Sequence, residues 1–164
     1  MKKLSFFVIF LLSLLVYKSF AYDATIEVVK QEQKKPLLYV KNQTNTKIAR
    51  NIENTITADL RVSSHFNISS SNSRDLDLLV EFKTDTNSNG ELFATVTLVN
   101  VKDKKNIYAN TYKVSSDAQY PFLAHKISID INSYVKAPSI EWMGRYVIFE
   151  KYIAPKQSEI VIAD

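Results

Sequence analysis

The chain has 164 residues without a single cysteine, and it carries 21 basic against 17 acidic side chains. Without cysteine it has no disulfides, no thiolate metal sites and no lipid-modified N-terminal cysteine. Three of the basic residues lie within the first 21 positions, which hold no acid, so the rest of the chain has 18 basic and 17 acidic side chains. This balance, and the lack of any block of like charge, exclude nucleic acid as a partner.

Residues 1–21 have the features of a signal peptide. Two lysines precede an apolar run of 14 residues from Leu4 to Tyr17, which is short of the roughly 20 residues needed to span a bilayer. Small residues then stand at the two positions that a signal peptidase reads. We therefore predict cleavage between Ala21 and Tyr22 and export to the periplasm, with an uncleaved membrane anchor as the alternative.

Residues 22–35 predict an extended arm. In TIEVV (25–29), Ile26 and Val28 alternate with their neighbours as in a β-strand, and the polar run after it has no apolar face to anchor it. An apolar strand on a polar tether is suited to pairing with the edge of another protein's sheet. The same residues also fit the first strand of the chain's own sheet or a disordered tail. The residues alone leave these interpretations open.

Residues 36–137 predict one domain that begins with a strand and a helix. PLLYV (36–40) indicates a short buried strand, and NQTN (42–45) supplies cap residues for the helix. The helix is predicted to fade near Ser63 and Ser64. Its core-facing stripe consists of apolar residues that recur every four positions: Ile48, Ile52, Ile56 and Leu60.

The middle of this domain predicts an antiparallel meander. A small strand opens the polar connector 65–75, and Asn89-Gly90 is a strong hairpin signal because both residue types tolerate positive φ. The three strands of the meander are predicted over residues 76–84, 91–101 and 106–114.

A second helix is predicted after SSDAQYP (115–121), where Pro121 is acceptable in the first turn. Its apolar stripe contains Leu123, Ile127, Ile131 and either Tyr134 or Val135. The order of elements predicts an α+β domain, in which two helices pack on one face of a mixed β-sheet of approximately five strands.

Residues 138–164 do not fit this domain and predict a linker followed by two strands, 141–152 and 158–164. The last of these strands has no predicted partner, and an unpaired strand edge is a liability in a finished protein. We therefore expect the chain to be the front part of a longer protein.

The sequence offers no catalytic or metal-binding constellation. His65 follows the first helix in a polar connector, and His125 lies among apolar residues with Asp130 on a different side of the second helix, which favours a structural role. Asp75 and Asp77 flank the start of a strand without a third ligand, so solvated carboxylates are expected there. We predict that the protein is not an enzyme and needs no cofactor, metal or small-molecule substrate.

Several stretches, spread over the mature chain, resemble segments of one family in the same order. They are IEVV (26–29), ITADLRVSSHFN (56–67), FLAHKISIDINSYV (122–135), GRYVIFEKY (144–152) and SEIVIAD (158–164). The family that they resemble is TolB, the periplasmic component of the Tol-Pal system of Gram-negative bacteria. Two positions depart from the pattern: Ile129 replaces an acid that usually follows the histidine by four residues, and VKAP (135–138) replaces a Leu-Thr-Gly helix end.

The resemblance implies a non-enzymatic adaptor that supports outer-membrane integrity and constriction during cell division. In the family the arm binds the C-terminal domain of TolA or folds back onto its own protein, and a six-bladed β-propeller binds the lipoprotein Pal. The expected chain is therefore a monomer that carries the arm, the α+β domain and the first strands of an incomplete propeller over 138–164, with the Pal-binding surface missing. The residues implied to contact TolA are Tyr22, Asp23, Ala24, Thr25, Ile26, Glu27, Val28, Val29 and Lys30.

Two other functions stay open at this point. One is a self-contained periplasmic domain that binds and activates a cell-wall enzyme, as similar small α+β domains do. The other is a small-molecule carrier, which requires a lined pocket that the sequence does not reveal.

Overall fold

The computed structural model describes residues 34–163, so the predicted signal peptide and most of the predicted arm lie outside the described residues. Two short 3-10 turns, Asp117–Gln119 and Glu141–Gly144, precede the second helix and the sixth strand. The helices and strands follow in the order β1 (Leu37–Asn42), α1 (Lys47–Val62), β2 (Asn67–Ile68), β3 (Leu78–Thr86), β4 (Leu92–Asn100), β5 (Lys105–Val114), α2 (Tyr120–Tyr134), β6 (Val147–Ala154) and β7 (Gln157–Ala163).

Five strands form a mixed sheet in the order β2-β1-β3-β4-β5. β1 pairs in parallel with β2 and β3, because α1 carries the chain back to the end of the sheet from which β1 started. β3, β4 and β5 form the predicted antiparallel meander. In the turn between β3 and β4 only Gly90 has a positive φ, of 79°, and the side chain of Asn87 organises the rest of the turn by accepting the N–H groups of Asn89 and Glu91.

The N-cap residue of helix α1 lies one position after the predicted cap segment 42–45. Thr46 is the N-cap residue, and its Oγ1 accepts the N–H of Ala49 at 3.2 Å. Asn42 lies inside the predicted cap segment, but its side chain accepts the N–H of Thr44 and so forms a turn of its own before the helix. The predicted stripe is confirmed, since Ile52, Ile56 and Leu60 are fully buried and Ile48 packs against the core.

Helix α2 packs on the same face of the sheet as α1, which confirms the predicted α+β architecture. Its residues Leu123, Ile127 and Ile131 are buried, and its stripe ends in Val135, which packs against the core, whereas Tyr134 is 45% exposed. The face of the sheet beneath both helices is apolar along β1, β3 and β4, with the side chains of Leu38, Val40, Val80, Phe82, Val96 and Leu98 all buried.

Strands β6 and β7 form a separate two-stranded antiparallel sheet. Two predictions for this region were wrong. The strand predicted from residue 141 begins only at Val147, because Glu141–Gly144 turns so that Ile140 and Met143 are buried. The last strand was predicted to lack a partner, but β7 pairs with β6 along almost its whole length.

Candidate interaction surfaces

The predicted TolA-contacting residues Tyr22–Lys30 and the cleavage site at Ala21 and Tyr22 lie outside the described residues. They stay predictions. The described part of the chain nevertheless contains polar and apolar features that bear on binding. The first three lie at the α1–α2 seam, the line along which the two helices contact each other.

The first feature of the seam is a buried polar pair. Asp59 of α1 and His125 of α2 meet with 2.8 Å between Oδ2 and Nδ1, and their side chains are only 10% and 13% exposed. Because a carboxylate accepts hydrogen bonds and cannot donate them, the Nδ1–H of His125 is the donor. The predicted structural role of His125 therefore rests on an acid from the other helix, and Asp130 bonds elsewhere.

The second feature joins the seam to the segment that leaves the domain. Asn132 of α2 is buried, its Oδ1 lies 2.7 Å from Nδ1 of His65, and its Nδ2 donates to the carbonyl of Pro138 at 2.7 Å. His65 was expected merely to end α1, yet its side chain bonds across the seam. Both histidines of the chain thus take part in a hydrogen bond that involves α2, His125 with Asp59 of α1 and His65, three residues after α1, with Asn132.

Sequence analysis did not identify Asp59 or Asn132 as important. They occur there only as members of the stretches ITADLRVSSHFN (56–67) and FLAHKISIDINSYV (122–135). Their positions in the sequence could have identified them, since each is directly next to an apolar residue of its helix's core-facing stripe, Leu60 or Ile131. A polar side chain at the border of an apolar stripe requires a hydrogen-bond partner when the helix packs.

A cavity of about 190 Å³ lies between the seam and the segment 142–147. Its wall from the helices includes Val62 and the Asp59–His125 pair, and its opposite wall includes Trp142, Met143 and Arg145. Pockets for drug-sized ligands have volumes of about 300–1,000 Å³, so this cavity matches one large side chain better than a whole small molecule. It therefore gives little support to the carrier hypothesis.

The hairpin β6–β7 exposes an unusual amount of apolar surface. All of the described side chains of β6 are exposed. The large apolar side chains exposed on the two strands are Val147, Ile148, Phe149, Tyr152, Ile153, Ile160 and Ile162. Exposed apolar surface of this extent is typical of sites that bind other protein or a membrane.

The two carboxylates just before β3, Asp75 and Asp77, differ in their contacts and exposure. Asp77 accepts the N–H of Leu37 at 2.8 Å and pairs with the ammonium of Lys102, whereas Asp75 is exposed. The hydrogen bond from Lys102 first, and that from Leu37 second, hold the pKa of Asp77 below its ordinary value. Asp77 therefore connects β1, β3 and the β4–β5 turn, which is a structural role that its predicted solvated position did not suggest.

Asp130 takes part in a polar chain between α2 and the edge strand β5. The hydroxyl of Tyr112 donates to Asp130 at 3.0 Å and lies 2.7 Å from the hydroxyl of Tyr108, while Lys126 pairs with the other carboxylate oxygen. Burial is the main reason that the pKa of Tyr112 is raised, so its hydroxyl keeps its proton. This chain of groups fixes α2 to β5 and presents no nucleophile.

The described residues contain no group of three or more histidines, aspartates and glutamates placed to hold a metal ion. Within residues 34–163 no helix is long and apolar enough to cross a membrane. Every buried side-chain nitrogen and oxygen of this part of the chain has a hydrogen-bond partner.

Comparison with known proteins gives one consistent result, although no family model matches the sequence. The Tol-Pal system protein TolB of Wolinella succinogenes is 36% identical and that of Helicobacter hepaticus 35% identical, over 88% and 96% of this chain. The chain spans only 38% and 41% of their lengths. The crystal structure of TolB from Acinetobacter baumannii has the same fold over 80% of this chain, with a TM-score of 0.63 at 14% identity.

Proposed function

Because this chain belongs to the TolB family of Tol-Pal system proteins, over the part of their length that it spans, we propose that it acts as a periplasmic adaptor without enzymatic activity. The observation that carries the proposal is the similarity to curated Tol-Pal proteins along almost the whole chain. In this role the protein supports outer-membrane integrity and constriction during cell division by holding two partners together.

We place the first contact in the arm, at Tyr22–Lys30, with the C-terminal domain of TolA as the partner. The alternation of Ile26 and Val28 supports this assignment, because an extended strand can add to the edge of a partner's sheet. Its backbone then supplies hydrogen bonds, and its alternate side chains supply specificity. The polar run before β1 gives the arm the reach that such pairing needs.

We place the second contact beyond the segment 138–164, which in this proposal begins a β-propeller that binds Pal. Two observations support the assignment. A two-stranded hairpin is at best marginally stable in water, and β6–β7 exposes apolar side chains that further protein would cover. The curated relatives are also more than twice as long as this chain.

The test of the first contact is deletion of Tyr22–Lys30 from the mature chain. Isothermal titration calorimetry should detect binding of a TolA C-terminal domain to the intact mature chain and no binding to the deletion variant. In this proposal the arm serves binding and is not part of the core, so the circular dichroism spectrum and the melting temperature of the deletion variant should stay unchanged.

A matched control replaces Gln31–Gln33 of the tether with Gly-Ser-Gly and should retain binding. Either of two results would contradict the proposal. The deletion variant could still bind TolA, or it could lose its folded structure, which would show that the arm is part of the core. Pal added to this chain alone should not bind, whether or not the arm is present.

A further inference from the structure

The chain leaves the α+β domain through a defined helix end. The N–H of Lys136 bonds to the carbonyl of Ser133 at 2.9 Å, and the N–H of Ala137 bonds to the carbonyl of Asn132 at 3.2 Å. This is the Schellman arrangement, and Lys136 takes its left-handed position with φ 59°. Glycine usually occupies that position because it has no Cβ. Since lysine is less favourable there, we expect another interaction to stabilise the path of the chain after α2.

The side chain of Asn132 provides such an interaction through two hydrogen bonds. Its amide nitrogen can only donate, and the carbonyl of Pro138 can only accept, so their 2.7 Å contact fixes the orientation of the amide. The amide oxygen then faces Nδ1 of His65, which must carry a hydrogen. One buried residue of α2 therefore bonds both to His65, three residues after α1, and to the segment beyond α2.

Several side chains after Pro138 are buried or packed. Ile140 and Met143 are buried after it, and the ring of Tyr146 packs on that of Phe122 with 5.0 Å between centroids. β6 begins at the next residue, Val147. The path from Asn132 to the apolar hairpin is thus short and held at several points, and the first of these contacts is a directional hydrogen bond.

We infer that Asn132 is a positioning residue that sets the direction in which the chain leaves the α+β domain, and hence the placement of the β6–β7 hairpin. Its importance for function rests on the proposed adaptor role, in which one contact region precedes this connection in the chain and the other follows it. The inference about the path of the chain itself can be tested without either partner.

The test uses Asn132→Asp and Asn132→Ala. Aspartate keeps an acceptor for His65 but, when ionised, presents an oxygen to the carbonyl of Pro138, so it breaks only the bond to the exit segment. Alanine breaks both bonds. A protonated carboxyl can again donate to Pro138, so the aspartate variant should regain the wild-type exit path at low pH, whereas the alanine variant should not.

Trp142 is the only tryptophan of the chain and lies in the exit segment, which makes its fluorescence a native reporter. At pH 7 both variants should shift the emission of Trp142 and raise the rate of tryptic cleavage at Lys136 and Arg145 about tenfold. As the pH is lowered from 7 to about 3.5, through the ordinary range of a carboxyl group, only the emission of Asn132→Asp should return to that of the wild type at the same pH.

The control is Asn106→Asp, which adds the same charge on an exposed residue of β5 and should change neither readout. The inference is overturned if the Asn132 variants lower the melting temperature but leave Trp142 emission and cleavage as in the wild type, since Asn132 then serves only the seam. It is also overturned if Asn132→Asp shows no recovery at a pH at which NMR shows the introduced carboxyl to be protonated.

A measurement on the wild type covers the case in which the variants do not fold. The Nδ2 hydrogens of Asn132 should exchange with solvent at least tenfold more slowly than those of the exposed Asn106, because one of them is held by Pro138. Equal exchange rates would contradict the bond on which the inference depends. Failure of TolA binding would leave all of these results unaffected, so the two proposals can fail separately.

Discussion

The α+β domain and the β6–β7 hairpin are built from similar strands and yet differ in what covers them. Every second side chain from Leu78 to Thr84 in β3 and from Leu92 to Leu98 in β4 is buried. The hairpin has comparably apolar strands, but seven of the eleven large apolar side chains that are exposed within residues 34–163 lie on it. Alternation of apolar residues therefore specifies a strand, while the stability of the strand depends on a second layer that the hairpin lacks among the described residues.

The largest expected effect in this comparison is Ile56→Ala. Ile56 is fully buried at the centre of the α1 stripe, so its truncation removes apolar burial and leaves a cavity. We expect the free energy of unfolding to fall by about 2–5 kcal/mol, measured by urea denaturation followed by circular dichroism. A loss below about 1 kcal/mol would mean that the core can collapse around the site and that the domain is less tightly packed than the structure indicates.

The next effect concerns the buried pair of the seam. Asp59→Ala leaves His125 without the carboxylate that accepts its Nδ1–H, at a site where both side chains are mostly buried. We expect a loss of about 2 kcal/mol in the free energy of unfolding, again by urea denaturation. Asp103→Ala, on the exposed β4–β5 turn, is the matched control and should change stability by less than about 0.5 kcal/mol.

A smaller effect is the pH dependence that Asp77 confers. Its pKa is lowered in the folded state by Lys102 and by the N–H of Leu37, so it stabilises the fold above the pKa of the unfolded chain. This contribution is lost as the pH falls through the lower pKa of the folded state. Asp77→Asn should therefore be less stable than the wild type at pH 7, with the difference shrinking below about pH 4. A difference that stays constant between pH 7 and pH 3 would contradict this role.

The smallest effect is predicted where the domain and the hairpin differ most. Ile160→Ala makes the same truncation as the core variant, but Ile160 is 78% exposed, so the free energy of unfolding should change by no more than about 0.5 kcal/mol. The same denaturation series measures it directly against Ile56→Ala. A loss of 2 kcal/mol or more would show that the hairpin is covered in the isolated chain, for example by a second copy, which sedimentation velocity would then detect.

The sequence by itself determined the elements of the α+β domain, because helix and strand periodicities are local. The stripe Ile48–Leu60, the meander and the second helix were all predicted from spacing, and the resemblance to TolB came from short stretches in order. Chain order and the return through α1 also indicated the layer arrangement, since the apolar face of each element needs a partner.

Only the tertiary structure decided which polar residues act together. Asp59 and His125 are 66 residues apart, and His65 and Asn132 are 67 apart, so no local pattern connects them. The prediction that a strand begins at residue 141 was wrong for a related reason. The turn Glu141–Gly144 contacts α2, and Ile140 and Met143 are buried, so a turn replaces the first part of that strand. Local propensity predicts elements well, but burial against distant residues determines where they end and which side chains meet.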